Sequence, residues 1–359
     1  MQGPEHVLRQ LSQGRIRSDE LGPDAADWPG WRERLAGRFA QRLGGFPERG
    51  KEPDPSHTVT ERTRKDGYVR EKVEVTTYAG VRMPMYVLVP DGAKPGTPAV
   101  VACHGHGYGS REIVGLEPDG SERAGDPTLH RDFAVELVRR GFVVAAPELL
   151  GFGDRRFPED KAAGPKQSSC LRLSVHLLML GMTIAGVRMY ETMRAIDYLQ
   201  SRGDVNPARI GCMGISGGGL VAGFTAALDE RVKAAVVSGY ANTFADSVLT
   251  RAHCVDNYIP GVLLDAEMPD LLGLIAPRAL LIESGARDQV FPAEGAVKAY
   301  ERLGRIYAAA GAGDKLEADF FAGGHEISGA KSYDWLWKTL ARDDEGGNED
   351  EHNRSIVKP

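Results

Sequence analysis

The chain has 359 residues, 42% hydrophobic and 26% charged, with a formal charge of −6 at pH 7, the balance of a globular protein with room for one large domain or two ordinary ones. Six acids and two bases fall in residues 343–359, so −4 of the charge sits there and the body is nearly neutral, which speaks against nucleic acid as a partner. The first twenty residues lack an apolar signal core and no apolar run is long enough to span a bilayer, so no membrane partner is expected.

The first 60 residues are mostly polar, apart from a helical pattern over Trp31, Leu35, Phe39 and Leu43. They are expected to form a helical arm and a Pro-rich linker. Strands are expected from Tyr68 to Tyr78 and from Met83 to Pro90, the second near a sheet edge because Pro84 interrupts it. Pro98–Cys103 reads as a buried strand. From there strand and helix alternate. Helices are expected over Arg131–Arg140, Met182–Ser201, Pro292–Ala308 and Tyr333–Ala341. Strands are expected over Phe142–Ala146, Ile210–Met213, Val232–Val237, Arg278–Ile282 and Leu316–Phe321. This rhythm predicts a mostly parallel sheet covered on both faces, with an antiparallel end where helices are missing.

Residues 61–342 are therefore expected to form one α/β domain. Its long segments 152–181 and 239–275 follow strand ends and are expected to roof the site. The stretch 173–189 is the most apolar, but His176, Gly181, Gly186 and Arg188 break it. Residues 343–359 are expected to be an acidic disordered tail. The four cysteines, Cys103, Cys170, Cys212 and Cys254, show no C-x-x-C spacing, so no zinc site is expected, and reduced thiols fit a cytoplasmic protein. Cys103 and Cys212 lie in apolar runs and read as core.

The chemistry centres on Gly214-Ile215-Ser216-Gly217-Gly218, placed between a strand and a helix. A serine at such a turn needs an unusual backbone and a close approach of strand to helix, which glycines two before and two after permit. Its hydroxyl needs a base, and the base needs an acid to orient it. His325, after the last strand in a Gly323-Gly324-His325 loop, is the candidate base. Asp288, after the strand at 278–282, is the candidate acid. Glu283 is the rival acid, read as a supporting group because it sits within the strand end. Oxyanion donors are expected from Gly217 and from the His104-Gly105-His106-Gly107 loop, with Gly105 and His106 as candidates. One of the two histidines is expected to brace that loop and the other to border the pocket. His104 and His106 could instead hold a metal, but no third ligand stands at a telling spacing. No cofactor is expected.

Further motifs join these: PELLGFGDR at 147–155, RAIDYLQSRGDVNPARIGCMGISGGG at 194–219, HCVDNYIPG at 253–261 and PDLLGLIAPRALLIESGARDQVFP at 269–292. With HGHG at 104–107 and GGH at 323–325, they resemble α/β-hydrolases of the dienelactone-hydrolase and acetyl-xylan-esterase-like group over residues 65–340. Dienelactone hydrolases proper carry a cysteine where this chain has Ser216, and Glu148 stands where many of the group carry aspartate. The resemblance implies the α/β-hydrolase fold and a Ser216–His325–Asp288 triad acting on small carboxylic esters, acetylated sugars among them. It also places His253, Cys254, Asn257 and Tyr258 near the site mouth. Asn257, Tyr258 and His104 are the candidate substrate contacts, although the insertion residues could serve only to hold their loop together. A prolyl-oligopeptidase-like peptidase, a lyase or a non-catalytic binding protein on the same scaffold are the other readings. The sequence leaves the oligomeric state open, a homodimer included.

Overall fold

A computed structural model describes residues 3–12, 23–47 and 56–341. The expected tail at 343–359 and most of the expected linker lie outside these. In chain order the elements are α1 (Pro4–Ser12), α2 (Trp28–Arg42), β1 (His57–Lys65), β2 (Tyr68–Thr76), β3 (Arg82–Pro90), β4 (Thr97–Cys103), α3 (Phe133–Arg139) and β5 (Val143–Pro147). Then follow α4 (Pro158–Ala162), α5 (Cys170–Met179), α6 (Ile184–Ser201), β6 (Val205–Ile215), α7 (Gly217–Leu228) and β7 (Val232–Ser238). The last are α8 (Met268–Gly273), β8 (Ala279–Gly285), α9 (Ala293–Ala309), β9 (Leu316–Phe321) and α10 (Ser332–Leu340).

The strands form one sheet in the order β1-β2-β3-β5-β4-β6-β7-β8-β9. The pairings β1–β2, β2–β3 and β3–β5 are antiparallel, and all others are parallel. This is the α/β-hydrolase architecture expected from the strand–helix rhythm. Successive residues of β4 point to opposite faces, as the pleat requires. Ala99, Val101 and Cys103 pack with α2, α6, α7, α8 and α9, while Val100 and Ala102 pack with α3 and α10. Cys103 and Cys212 are both fully buried in the first layer, and burial pushes the Cys103 thiol up to about 12.

Two expectations need correcting. β1 begins at His57, so the sheet starts before the expected boundary at residue 61. Its side chains are exposed on both faces over most of its length, which is why its sequence carries no apolar alternation. The helical arm is core: Leu35, Phe39 and Leu43 are at most 2% exposed, and the Phe39 ring meets Phe224 edge-on at 5.0 Å. β3 is third from one edge of the sheet, with β2 and β1 outside it. In an antiparallel strand the N and C=O of one residue point the same way. The Pro84 carbonyl accepts the Glu148 amide at 3.0 Å, so its missing N–H faces the β5 side just past the last pair Met85–Pro147, where the Glu148 carbonyl takes the Arg155 guanidinium at 3.1 Å instead.

Crossovers leave β4 in opposite directions, to β5 on one side and from β6 onward on the other. The gap between the carboxyl ends of β4 and β6 is thus a switch point, where α/β sheets open a crevice. Among the described residues no single helix is long and apolar enough to cross a membrane.

Candidate active site

Ser216 stands at the end of β6 with φ 56° and ψ −127°, one of three non-glycine residues at positive φ among those described. Its amide is held by the Ser238 carbonyl at the end of β7, 3.0 Å away. The strained turn persists because strand and helix close tightly around it. A Cβ on Gly214 would lie 2.2 Å from the Gly218 carbonyl oxygen, and one on Gly218 would lie 2.1 Å from that of Cys103. Ser216 caps α7, whose first amides have no partner within the helix.

His325 follows β9 and Asp288 follows β8. Their side chains meet, Nδ1 to Oδ2, at 2.8 Å. The other Asp288 oxygen accepts the Val290 and Phe291 amides at 2.7 and 2.9 Å. The Asp288 side chain is fully buried and the His325 side chain is 16% exposed. Phe291 stacks beside the imidazole with ring centres 6.0 Å apart. Since an ionised carboxylate only accepts, Nδ1 carries the proton and Nε2 keeps its lone pair.

Ser216 and His325 line one pocket of about 250 Å³ together with His106, His253, Asn257 and Phe291; Leu129, Ala252, Cys254 and Val290 complete its wall. The insertion at 239–275 thus roofs the site. The one at 152–181 contributes none of this lining and stands behind it. Glu283, the rival acid, turns away from His325. Its carboxylate accepts the Ser328 and Gly329 amides at 3.4 and 3.2 Å, holding the loop that follows His325, and burial raises its pKa.

The 104–107 loop is built differently from the expectation. The Gly105 amide donates to His130 Nε2 at 2.9 Å, so Gly105 is not free to serve an oxyanion. The His106 and Gly217 amides make no hydrogen bond among the described residues, and they remain the candidate donors. His104 is fully buried and does not line this pocket. Its Nδ1 must donate to the Gly105 carbonyl at 2.8 Å, which leaves Nε2 to accept the Leu149 amide at 3.2 Å. It braces the loop and is no substrate contact, while His106 borders the pocket. Tyr258 is 43% exposed, and its hydroxyl donates to the His253 carbonyl, so it too lies outside the pocket. Asn257 lines it, with Nδ2 donating to Cys254 and Asp256.

Two buried groups were not foreseen. His130 accepts from Gly105 through Nε2, so its protonated Nδ1 faces Glu112 Oε1 at 3.3 Å. Glu112 in turn accepts the Tyr108 amide at 2.9 Å. Burial alone would raise the Glu112 pKa, but His130 outweighs it and holds it down at about 2, whereas burial lowers that of His130. A single histidine in a polar stretch carries no spacing signal that would have revealed this. Glu148, whose longer side chain had no account, accepts the Ser110 amide and hydroxyl, each at 3.0 Å. It fills the space over Gly109 and Gly153, where an added Cβ would lie 2.2 Å from its carboxylate.

Comparison with known proteins agrees with this architecture. A family model described as "Abhydrolase family" matches residues 18–322. The protein named "Putative hydrolase YtaP" of Bacillus subtilis (strain 168) is 32% identical over 292 residues, covering 79% of this chain and 90% of its own. Among solved structures, "a putative acetyl xylan esterase" of Bacteroides fragilis NCTC 9343 superposes with a TM-score of 0.75 at 17% identity, covering 96% of this chain and 91% of that one. A glucuronoyl esterase of Solibacter usitatus superposes with a TM-score of 0.64 at 16% identity, covering 91% and 98%. At those identities the two structures speak for the fold.

Proposed function

The chain belongs to the Abhydrolase family, and from that membership and the pocket we propose that it is a serine hydrolase of small carboxylic esters. The observation that carries this reading is Ser216 at positive φ in one pocket with His325, whose Nδ1 is tied to Asp288. His325 Nε2 takes the Ser216 proton as the oxygen attacks the ester carbonyl. Asp288 holds the imidazole in the tautomer that can accept this proton and stabilises the cation formed. The Gly217 and His106 amides donate to the oxyanion, with the amino end of α7 adding favourable potential. His325 then returns the proton to the departing alcohol, and an acyl group remains on Ser216. Water, deprotonated by His325, releases the acid.

A pocket of about 250 Å³ is smaller than the ~300–1,000 Å³ of sites that enclose drug-sized ligands, which supports a short acyl group. The names of the acetyl xylan esterases among the structural neighbours support an acetyl ester of a sugar as the substrate class.

Hydrolysis of 4-nitrophenyl esters from acetyl to decanoyl tests the reading. Acetyl is expected to react fastest, and Ser216→Ala to lower kcat by roughly 10⁴–10⁶. Equal rates for wild type and Ser216→Ala would overturn the nucleophile, and a preference for decanoyl would overturn the small-ester assignment. A fluorophosphonate adduct on Ser216 of the wild type is expected whatever the acyl preference.

A further inference from the structure

Partly in the pocket wall and partly behind it, four side chains from three distant segments converge. His106 comes from the loop after β4, Cys170 opens α5, and Cys254 and Asp256 come from the roof. Their donor atoms, one imidazole nitrogen, two sulfurs and a carboxylate oxygen, all lie within 4.8 Å of one another. Cys170 and Asp256 are buried. The ester-cleaving scheme uses none of these side chains, since His106 enters it only through its backbone.

The four groups face one another, with the Cys170 and Cys254 thiols in contact. His106 Nε2 is buried without a hydrogen-bond partner, although Asp256 Oδ2 is 3.5 Å away. Arg188, fully buried, donates to Asp256 Oδ2 at 2.7 Å and to Cys170 Sγ at 3.1 Å. One imidazole nitrogen, two sulfurs and a carboxylate oxygen gathered this closely form a ligand set that a divalent cation can bridge.

The distances suit such a cation. Zinc bonds of about 2.0–2.3 Å to nitrogen, oxygen and sulfur make the edges of a tetrahedron roughly 3.3–3.8 Å. The His106–Asp256 separation of 3.5 Å already equals one edge, and the other donors lie within 4.8 Å of both. Two thiolates with an imidazole select a borderline-soft metal over magnesium or calcium.

We propose that His106 Nε2, Cys170 Sγ, Cys254 Sγ and the Asp256 carboxylate bind one zinc ion in four-coordinate geometry. Four protein ligands leave no open position, so this is a structural site. It ties α5 and the roof to the 104–107 loop and so fixes the His106 amide beside Ser216. Arg188 on Cys170 and Asp256, and Asn257 Nδ2 on Asp256 Oδ1 at 2.9 Å, orient the ligands from outside. Binding releases the Cys254 proton to solvent, and that of Cys170 when it carries one; no electrons move. The sequence expectation of no zinc site rested on spacing along the chain, whereas the fold gathers this set from residues 106 to 256.

Metal content of the full chain, purified in reductant without added metal, is expected to be close to one zinc per chain. After chelation, one equivalent of Co²⁺ should give the visible bands of tetrahedral cobalt and a thiolate charge-transfer band in the near ultraviolet. Cys170→Ser and Cys254→Ser should each weaken Co²⁺ binding by more than the roughly 10–100-fold that loss of an outer partner costs. If either variant fails to fold, the wild type still decides: chelation should lower its Tm and zinc should restore it. The proposal is overturned by a Tm indifferent to chelator with no charge-transfer band, or by a cobalt signal that survives both substitutions. It is overturned equally by mass spectrometry showing that the reduced protein readily forms a Cys170–Cys254 disulfide while binding no metal. None of these readouts depends on ester cleavage, so the hydrolase reading stands or falls separately.

Discussion

The two oxygens of Asp288 divide their work: Oδ2 meets His325 Nδ1 at 2.8 Å, while Oδ1 takes the amides of Val290 and Phe291. The acid cannot rotate without losing both backbone bonds, so the imidazole it holds is fixed in orientation and tautomer. Asp288→Asn keeps the size but can turn an amide N–H toward Nδ1, which would strip Nε2 of its lone pair. Turnover of 4-nitrophenyl acetate is expected to fall about 10⁴-fold in kcat with KM little changed. Steady-state kinetics on the folded variant check this.

His130 links the Gly105 amide to the buried Glu112 carboxylate. His130→Leu leaves the amide unpaired and the carboxylate without its main partner, at an expected cost of about 3–5 kcal/mol. The same pair sets an acid limit. Glu112, lowered from 4.5 to about 2, contributes stability that is present above its ordinary pKa and fades as pH falls toward 2. His130, lowered from 6.5 by burial, contributes stability that is lost as pH falls and the ring must charge. Both act in one direction, so urea denaturation should show wild-type stability declining from near neutrality into acid. The decline should be shallower in His130→Leu.

Glu283 gives the opposite slope. Burial raises its pKa in the folded chain, so its contribution is full below the ordinary carboxyl range and lost as pH rises through the raised value. Glu283→Gln removes that loss. The Tm of the variant relative to wild type should therefore climb in thermal melts as pH rises above the ordinary glutamate value of 4.5.

Two glycine-to-alanine changes should differ in sign. At Gly218 the new methyl would meet the Cys103 and His104 carbonyl oxygens at 2.1 and 2.5 Å, and backbone cannot step aside, so a loss of about 3 kcal/mol or more is expected. At Gly304, within α9, a methyl meets nothing within 4 Å, and a gain of about 0.4–1 kcal/mol is expected. Denaturant titration of both variants decides.

The sequence exposed the parts that obey a local rule. Gly214, Ser216 and Gly218 mark a turn that only small neighbours permit, and the apolar runs of β4 to β8 mark a sheet buried on both faces. His325 and Asp288 could be found because strand ends are where such folds place reactive groups. β1 stayed hidden because an edge strand wet on both faces needs no apolar pattern. Gly105 was misjudged because the partner that takes its amide, His130, lies 25 residues away in a segment of no periodicity. His104 and His106 looked alike in sequence, yet one is sealed beneath the loop and the other faces the pocket. Cys170 and Cys254 share no spacing, and only α5 and the roof bring them together.

Glu148 reaches under the loop to Ser110 through a side chain one methylene longer than aspartate, and that reach is possible because positions 109 and 153 are both glycine. These three positions are therefore constrained jointly. A mutagenesis library that shortens the acid alone would open a void, and one that adds a methyl at either glycine would collide with the acid. Both glycines also sit at positive φ, 100° and 50°, so their backbone as well as the acid above them holds this floor to one solution.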